Sequence, residues 1–201
     1  MAINYVPLDK TKHKELKVAV DSAFPYAQKS HLAAASIREF AQLAGAMPVV
    51  FIQDPESDKH HVVAMLGLEQ DQNLFLHDGK WQAPAVPMNI LRYPFDVRAD
   101  GQNLAVFVDE NSDLLNDNGQ RLFDDNGEPT DFLKNRQQFL GELANSEMMT
   151  QRFVAKVVEL DLLEDVQIRV NYENGQGRNV TGMKSINEKK LQELDDATVL
   201  E

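Results

Sequence analysis

The sequence predicts an α+β fold: an antiparallel sheet meander with an N-terminal helix and a helical C-terminal third, in one domain over residues 1–201. Three observations carry this prediction. Short runs rich in β-branched and aromatic residues are separated by Asp78-Gly79, Asn118-Gly119 and Asn126-Gly127, which is the turn chemistry of hairpins rather than of β-α-β crossovers. In "SHLAAASIREFAQLAGAM", Leu32, Ile37, Phe40, Ala41 and Ala44 recur at helical spacing. From Thr130 the apolar period becomes helical again and stays so to Leu160. No repeat or low-complexity linker divides the chain.

The elements follow in order. "YVPL" and "LKVAVDSAFPYA" read as short extended pieces, since Pro7 and Pro25 restrict the residues before them. The first helix has Ser36 and Glu39 in position for a capping box with a later start, and Gly45 suits its stop. "PVVFIQD" is a buried strand closed by Asp54 and Pro55. "HHVVAMLGLEQDQNLFLHDGKWQA" adds a strand ending near Glu69 and another at "NLFL", with Asp78-Gly79 as a hairpin turn. Strands near "LAVFVDE" and around "LFDD" complete the series. Thr130 is positioned as an N-cap for a helix bearing Phe132, Arg136, Leu140 and Leu143 on one face. A break near Asn145 and Ser146 separates it from a second helix with Met149, Phe153, Val157 and Leu160. "VQIRVNYENGQG" alternates like an edge strand into a flexible polar turn at Gly175 and Gly177, and Ser185 to Glu188 forms a further capping box.

Composition excludes several functions. The chain has 32 acidic against 20 basic residues, a net charge of −12, which opposes phosphate backbones and anionic lipid heads, so no nucleic-acid partner is expected. Lys10, Lys12, Lys14 and Lys17 are interrupted by Glu15 and read as a solvated face. No stretch is apolar enough to insert in a membrane. With no cysteine, disulfides, thiolate catalysis and Cys-based zinc sites are excluded. No secretory apolar run opens the chain, so a cytoplasmic location is expected.

Catalytic motifs are missing too. There is no G-x-S-x-G elbow, no S-x-x-K, no G-x-G-x-x-G and no Walker loop, so no cofactor is expected. The histidines are His13, His31, His60, His61 and His77. His60 and His61, adjacent on a strand, point to opposite faces, and no spacing gathers a ligand set, so no metal is assigned. The acidic stretch from Asp109 to Asp131 contains "NDNG" and "DDNG", yet the positions five residues before Gly119 and Gly127 are Leu114 and Leu122. An EF-hand needs a carboxylate there, so the stretch reads as Asn-Gly turns on an acidic face.

The segment "NLFLHDGKWQAPAVPMNILRYPFDVR" stands apart. Asn73 and Asp78 bracket an apolar strand as turn formers, Trp81 is the only tryptophan, and Pro84 and Pro87 stiffen the connection to Ile90, Tyr93 and Phe95. Arg92 is expected to stack on a ring or to pair with a carboxylate such as Glu39. The candidate binding residues are therefore Trp81, Arg92, Tyr93, Asn73 and Glu39. An aromatic core cluster anchored by one Arg accounts for the same residues structurally.

The order "KHKELKV", "FPYAQKSHLAAASIREFAQLAGAMPVVF", "AMLGLEQDQNLFLHDGKWQAPAVPMNILRYPFDV", "LFDDNGEPTDFL", "LLED" and "INEKKLQELDD" resembles the SapC family of bacterial proteins over nearly the whole chain. The most specific part is Gly67 to Phe95. The resemblance implies association with surface-layer systems, or with gene groups holding TonB-dependent receptors and halogenase-like flavoproteins, and carries over no catalytic residue. It also implies a further apolar C-terminal tail, whereas this chain ends at Glu201. The leading expectation is thus a non-enzymatic binding or accessory protein with a protein or small-molecule ligand. A metal-dependent enzyme using His13, His61 or His77 is the alternative, acting on a small molecule or an amino-acid side chain. Self-association into a homo-oligomer through apolar helix faces is the third.

Overall fold

The computed structural model describes residues 3–101, 103–173 and 175–199, and its fold is α+β. The first element is β1 (Tyr5–Pro7), and β2 (Lys17–Val18), β3 (Leu32–Ala34), α1 (Phe40–Ala44), β4 (Val49–Gln53) and β5 (His60–Met65) follow. Next come a small hairpin, β6 (Leu76–His77) and β7 (Lys80–Trp81), then α2 (Met88–Leu91), β8 (Phe95–Asp100), β9 (Asn103–Asp109) and β10 (Gln120–Arg121). The C-terminal third is helical over α3 (Asp131–Glu159), α4 (Glu188–Gln192) and α5 (Asp196–Val199), with the hairpin β11 (Leu163–Asn171) and β12 (Gly177–Ile186) between them.

The pairing is antiparallel throughout but not one meander. A five-stranded sheet runs β11-β12-β4-β5-β3, a three-stranded sheet runs β1-β9-β8, and two two-stranded ladders join β10 to β2 and β6 to β7. β11 is the edge strand its alternation predicts. Its partner β12 starts at Gly177, where the sequence suggested only a turn. The β11-β12 register shifts between Val166 and Ile168, and Gly182, at φ +84°, supplies the left-handed residue of that bulge. The predicted hairpin turn at Asp78-Gly79 forms with both residues at positive φ, as a two-residue turn between twisted strands requires.

Alternation gives the five-stranded sheet two apolar faces. Phe51, Val62 and Ala64 pack with Leu43 of α1 and with Val154 and Val157 of α3. Val50, Val63, Met65 and Met183 form a separate cluster on the other face. Val18, Phe95, Val108 and Leu122 gather around Leu133 and Leu140 of α3 on the smaller sheet. One helix therefore serves two cores.

The sequence reading needs four corrections. α3 is one helix of 29 residues, about 43 Å long at ~1.5 Å per residue, and is unbroken at Asn145 and Ser146. Ser146 is fully buried on its inner stripe, and Thr150 Oγ1 donates back to Ser146 O at 2.7 Å while accepting from Ile37 N at 2.8 Å. The N-terminal helix is shorter than its pattern, because Leu32–Ala34 pairs with Met65, Ala64 and Val63 of β5. Helix-forming residues there yield to strand pairing, and only a 3-10 turn over Ile37–Glu39 and α1 remain. α4 is capped by Asn187, whose Oδ1 accepts from Lys190 N at 3.0 Å, rather than by Ser185, which β12 holds extended. The turn at Asn118-Gly119 does not join paired strands, since β10 pairs with β2 rather than with β9; a Cβ at Gly119 would lie 2.3 Å from Val18 C, so its bare backbone is what lets β10 reach β2. Among the described residues no helix is long and apolar enough to cross a membrane.

Gly119→Ala is expected to destabilise the fold by about 3 kcal/mol, because backbone atoms must move apart. Gly127→Ala, at φ +79° in open space, is expected to cost only about 1 to 2 kcal/mol of backbone strain. Urea midpoints of the two variants test this, and equal losses would contradict the steric account.

Candidate functional site

A groove of about 1060 Å³ opens at the seam between the two main sheets. Its wall includes Tyr5 of β1, Tyr26, Lys29, Arg92, Tyr93 and Asp109 at the end of β9. Local chemistry places each of them. Pro25 opens the 3-10 turn Pro25–Ala27 that carries Tyr26. Pro87 sits immediately before α2, whose end delivers Arg92 and Tyr93, and the Tyr93-Pro94 peptide is cis.

The polar groups of this wall are committed to one another. Tyr26 and Tyr93 lie with ring centroids 4.4 Å apart at 35°. Tyr26 Oη donates to Ile90 O at 3.0 Å, and Tyr93 Oη donates to Asp109 Oδ2 at 2.8 Å. Asp109 is 2% exposed, and its Oδ1 accepts from Asn4 N at 2.8 Å and from Asn111 N at 3.1 Å. A buried carboxylate with three donors meets the requirement for burying charge. Arg92 donates through Nε to Asn89 Oδ1 at 3.0 Å and pairs with Asp96. Asp96 in turn accepts from Arg98 Nε at 3.1 Å, and the Arg98 guanidinium lies 5.5 Å from the Tyr5 ring centroid.

All three phenols of the wall are held neutral. Burial is the main cause for each, pushing Tyr93 up to about 12 with the Asp109 carboxylate adding to it and the Ser112 hydroxyl opposing. Burial likewise raises Tyr5 and Tyr26. The groove thus presents ring faces, the cationic side chains of Lys29 and Arg92, and the carboxylates of Asp71 and Asp113 beside the committed Asp109. Such a set can meet a ligand through shape, stacking and charge-assisted hydrogen bonds.

The sequence-nominated residues divide between groove and interior. Arg92 and Tyr93 line the groove; Trp81, Asn73 and Glu39 do not. Arg92 pairs with a carboxylate as expected, but with Asp96 rather than Glu39. Glu39, 4% exposed, has both oxygens occupied, since Ser36 N donates to Oε1 and Met88 N donates to Oε2, each at 2.8 Å. The capping box is therefore present and doubles as a staple to α2. Asn73 donates through Nδ2 to Ala27 O at 2.9 Å and accepts from Phe75 N at 2.9 Å, tying its loop under the Tyr26 turn. Trp81 is half-buried against Phe24 and Phe75, and its Nε1 donates to Ala85 O at 2.8 Å. Tyr5, Tyr26 and Asp109 were missed. Their one local signal is an Asp closing the apolar strand "LAVFVDE".

His60 and His61 adjoin on β5, and His13, His31 and His77 lie on other segments. His13, 4% exposed, accepts from Asp9 N through Nδ1 at 2.9 Å, so its Nε2 carries the proton toward Glu110 Oε1 at 3.1 Å. His61 and His77 are exposed on β5 and β6. Among the described residues no group of three or more His, Asp or Glu is placed to hold a metal ion. In the acidic stretch Leu114 and Leu122 are core residues. Asp124 Oδ1 there accepts from Asn126 N and Glu128 N, both at 2.9 Å, as a turn-forming carboxylate does.

Glu39→Gln turns one amide donor against a backbone N–H, and the melting temperature is expected to fall by the equivalent of about 1 to 3 kcal/mol. An unchanged melting temperature would contradict the staple. Tyr93 titrates higher in the fold than in the unfolded chain, so its contribution is complete below about pH 10 and is lost as pH rises through about 12. In alkaline urea titrations Tyr93→Phe is expected to show a shallower stability loss over that interval than the parent chain.

Residues 8–201 match the family model described as SapC. No curated protein and no solved structure matches the chain. The match covers nearly the whole sequence, and the protein belongs to the SapC family.

Proposed function

We propose that the protein is a non-catalytic binding or accessory component of a bacterial surface-layer or nutrient-uptake system, and that it takes a small molecule or protein segment in the seam groove. The observation that carries this reading is the groove wall itself. Tyr5, Tyr26 and Tyr93 are kept as neutral phenols, Arg92 is held by Asn89 and Asp96, and Asp109 is spent on three donors. Such preorganisation lowers the ordering cost of recognition. Flat aromatic or amide faces suit the Tyr26–Tyr93 pair, and acceptor groups suit Arg92 and Lys29. The family resemblance supplies the surface-layer and uptake context.

The test places a photo-crosslinking residue at Lys29, on the exposed rim, and expresses the chain in bacterial cells of a SapC-containing species. Crosslinking of a defined partner or small molecule is expected, reduced at least tenfold by Arg92→Ala with the melting temperature retained. Elemental mass spectrometry on protein purified without added chelator accompanies it. A near-stoichiometric iron or zinc signal that vanishes on changing His13, His61 or His77 would replace the binding reading with a metal-dependent enzyme.

A further inference from the structure

Behind the tyrosine wall lies a second cavity of about 140 Å³, room for roughly four or five waters at ~30 Å³ each. Its floor is apolar, built by Val18, Leu91, Phe95 and Leu114. Two opposite charges line it, Asp21 and Arg136, and they form no ion pair with each other. The Arg136 guanidinium instead lies 5.4 Å from the Phe132 ring centroid, and among the described residues no carboxylate pairs with it. Asp21 uses Oδ1 to accept from Ala23 N at 2.8 Å, which leaves Oδ2 for another donor. Both charges line the cavity together with Tyr26.

A strained residue stands at the same place. Phe24 has φ +50°, a left-handed conformation that is costly for a bulky side chain and collects at binding sites. Its ring lines the cavity and meets Trp81 edge-on, with centroids 5.9 Å apart at 84°.

We infer that this cavity binds a free apolar α-amino acid, with its carboxylate on Arg136, its ammonium on Asp21 and its side chain on the apolar floor. The charge pattern selects this class. An uncharged apolar ligand would desolvate two charges without pairing either, which is unfavourable. A simple anion would satisfy Arg136 and repel Asp21. A zwitterion pairs both, and the guanidinium fork matches a carboxylate in bidentate fashion. The volume accommodates a branched or short side chain with the head group between Asp21 and Arg136. The site is distinct from the groove and stands whether or not the groove binds a partner, although Tyr26 and Tyr93 wall both.

Trp81, the only tryptophan, reports on Phe24 and hence on the cavity. The full chain is titrated with L-leucine, L-methionine and L-phenylalanine while its fluorescence is followed. A saturable change with at least one of them is expected, and 4-methylpentanoate and 3-methylbutylamine, which each lack one head group, should bind at least tenfold more weakly than leucine. Arg136→Gln should weaken binding at least tenfold with the circular dichroism unchanged, Arg136→Lys should weaken it less, and Asp21→Asn provides a second variant on the opposite charge. No saturable response up to about 10 mM, a range that covers weak millimolar affinities, would overturn the inference. So would equal binding of the analogues, or undiminished binding by folded Arg136→Gln and Asp21→Asn.

Discussion

The buried stripe of α3 is the constraint on which the other elements depend. Leu133 and Leu140 close the core of the three-stranded sheet, while Val154 and Val157 close one face of the five-stranded sheet. Leu143, Ser146 and Thr150 carry the stripe without interruption between them. Neither sheet could keep its position relative to the other if the helix broke at its centre. Thr150 makes the midpoint a joint as well, because its hydroxyl takes the Ile37 amide just before α1. The seam that the helix spans is where the groove opens.

Buried polar side chains then locate the irregular segments that no ladder holds. Glu39 joins the start of α1 to the start of α2, Asn73 ties its loop to Ala27, and Asp109 gathers Asn4, Asn111 and Tyr93. Each supplies acceptors or donors to backbone groups that would otherwise be buried without partners, a deficit of about 1 to 3 kcal/mol apiece. These three staples meet around Tyr26 and Tyr93, so the shape of the groove is set by hydrogen bonds made behind its surface. The aromatic set Phe24, Phe75 and Trp81 supports the same turn from the apolar side.

The two cavities differ in how their charges are used. Around the groove, Arg92 and Arg98 pair with Asp96 while Asp109 is held by Tyr93 and two backbone amides, which makes a rigid frame. In the smaller cavity Asp21 and Arg136 stay unpaired over an apolar floor. The tilted Tyr26–Tyr93 pair lines both, so an occupant of either space bears on the same residues.

Much of this architecture was legible in the residues. The strands "PVVFIQD", "HHVVAM" and "LAVFVDE", the Asp78-Gly79 hairpin, the Thr130 cap and the Ser36–Glu39 box rest on period, turn chemistry and capping, all of which act between neighbours in the chain. The family likewise followed from ordered local motifs. Tertiary structure decided what depends on distant partners. Leu32–Ala34 became strand because β5 offered it a ladder, Asn145 and Ser146 stayed helical because two cores needed one spine, and "RNVTGMKSI" paired into the larger sheet. It also drew Tyr5, Tyr26, Arg92, Tyr93 and Asp109 to one wall and turned Glu39, Asn73 and Trp81 inward. No periodicity records such meetings, because they arise from the burial of polar groups and apolar area between segments remote in sequence.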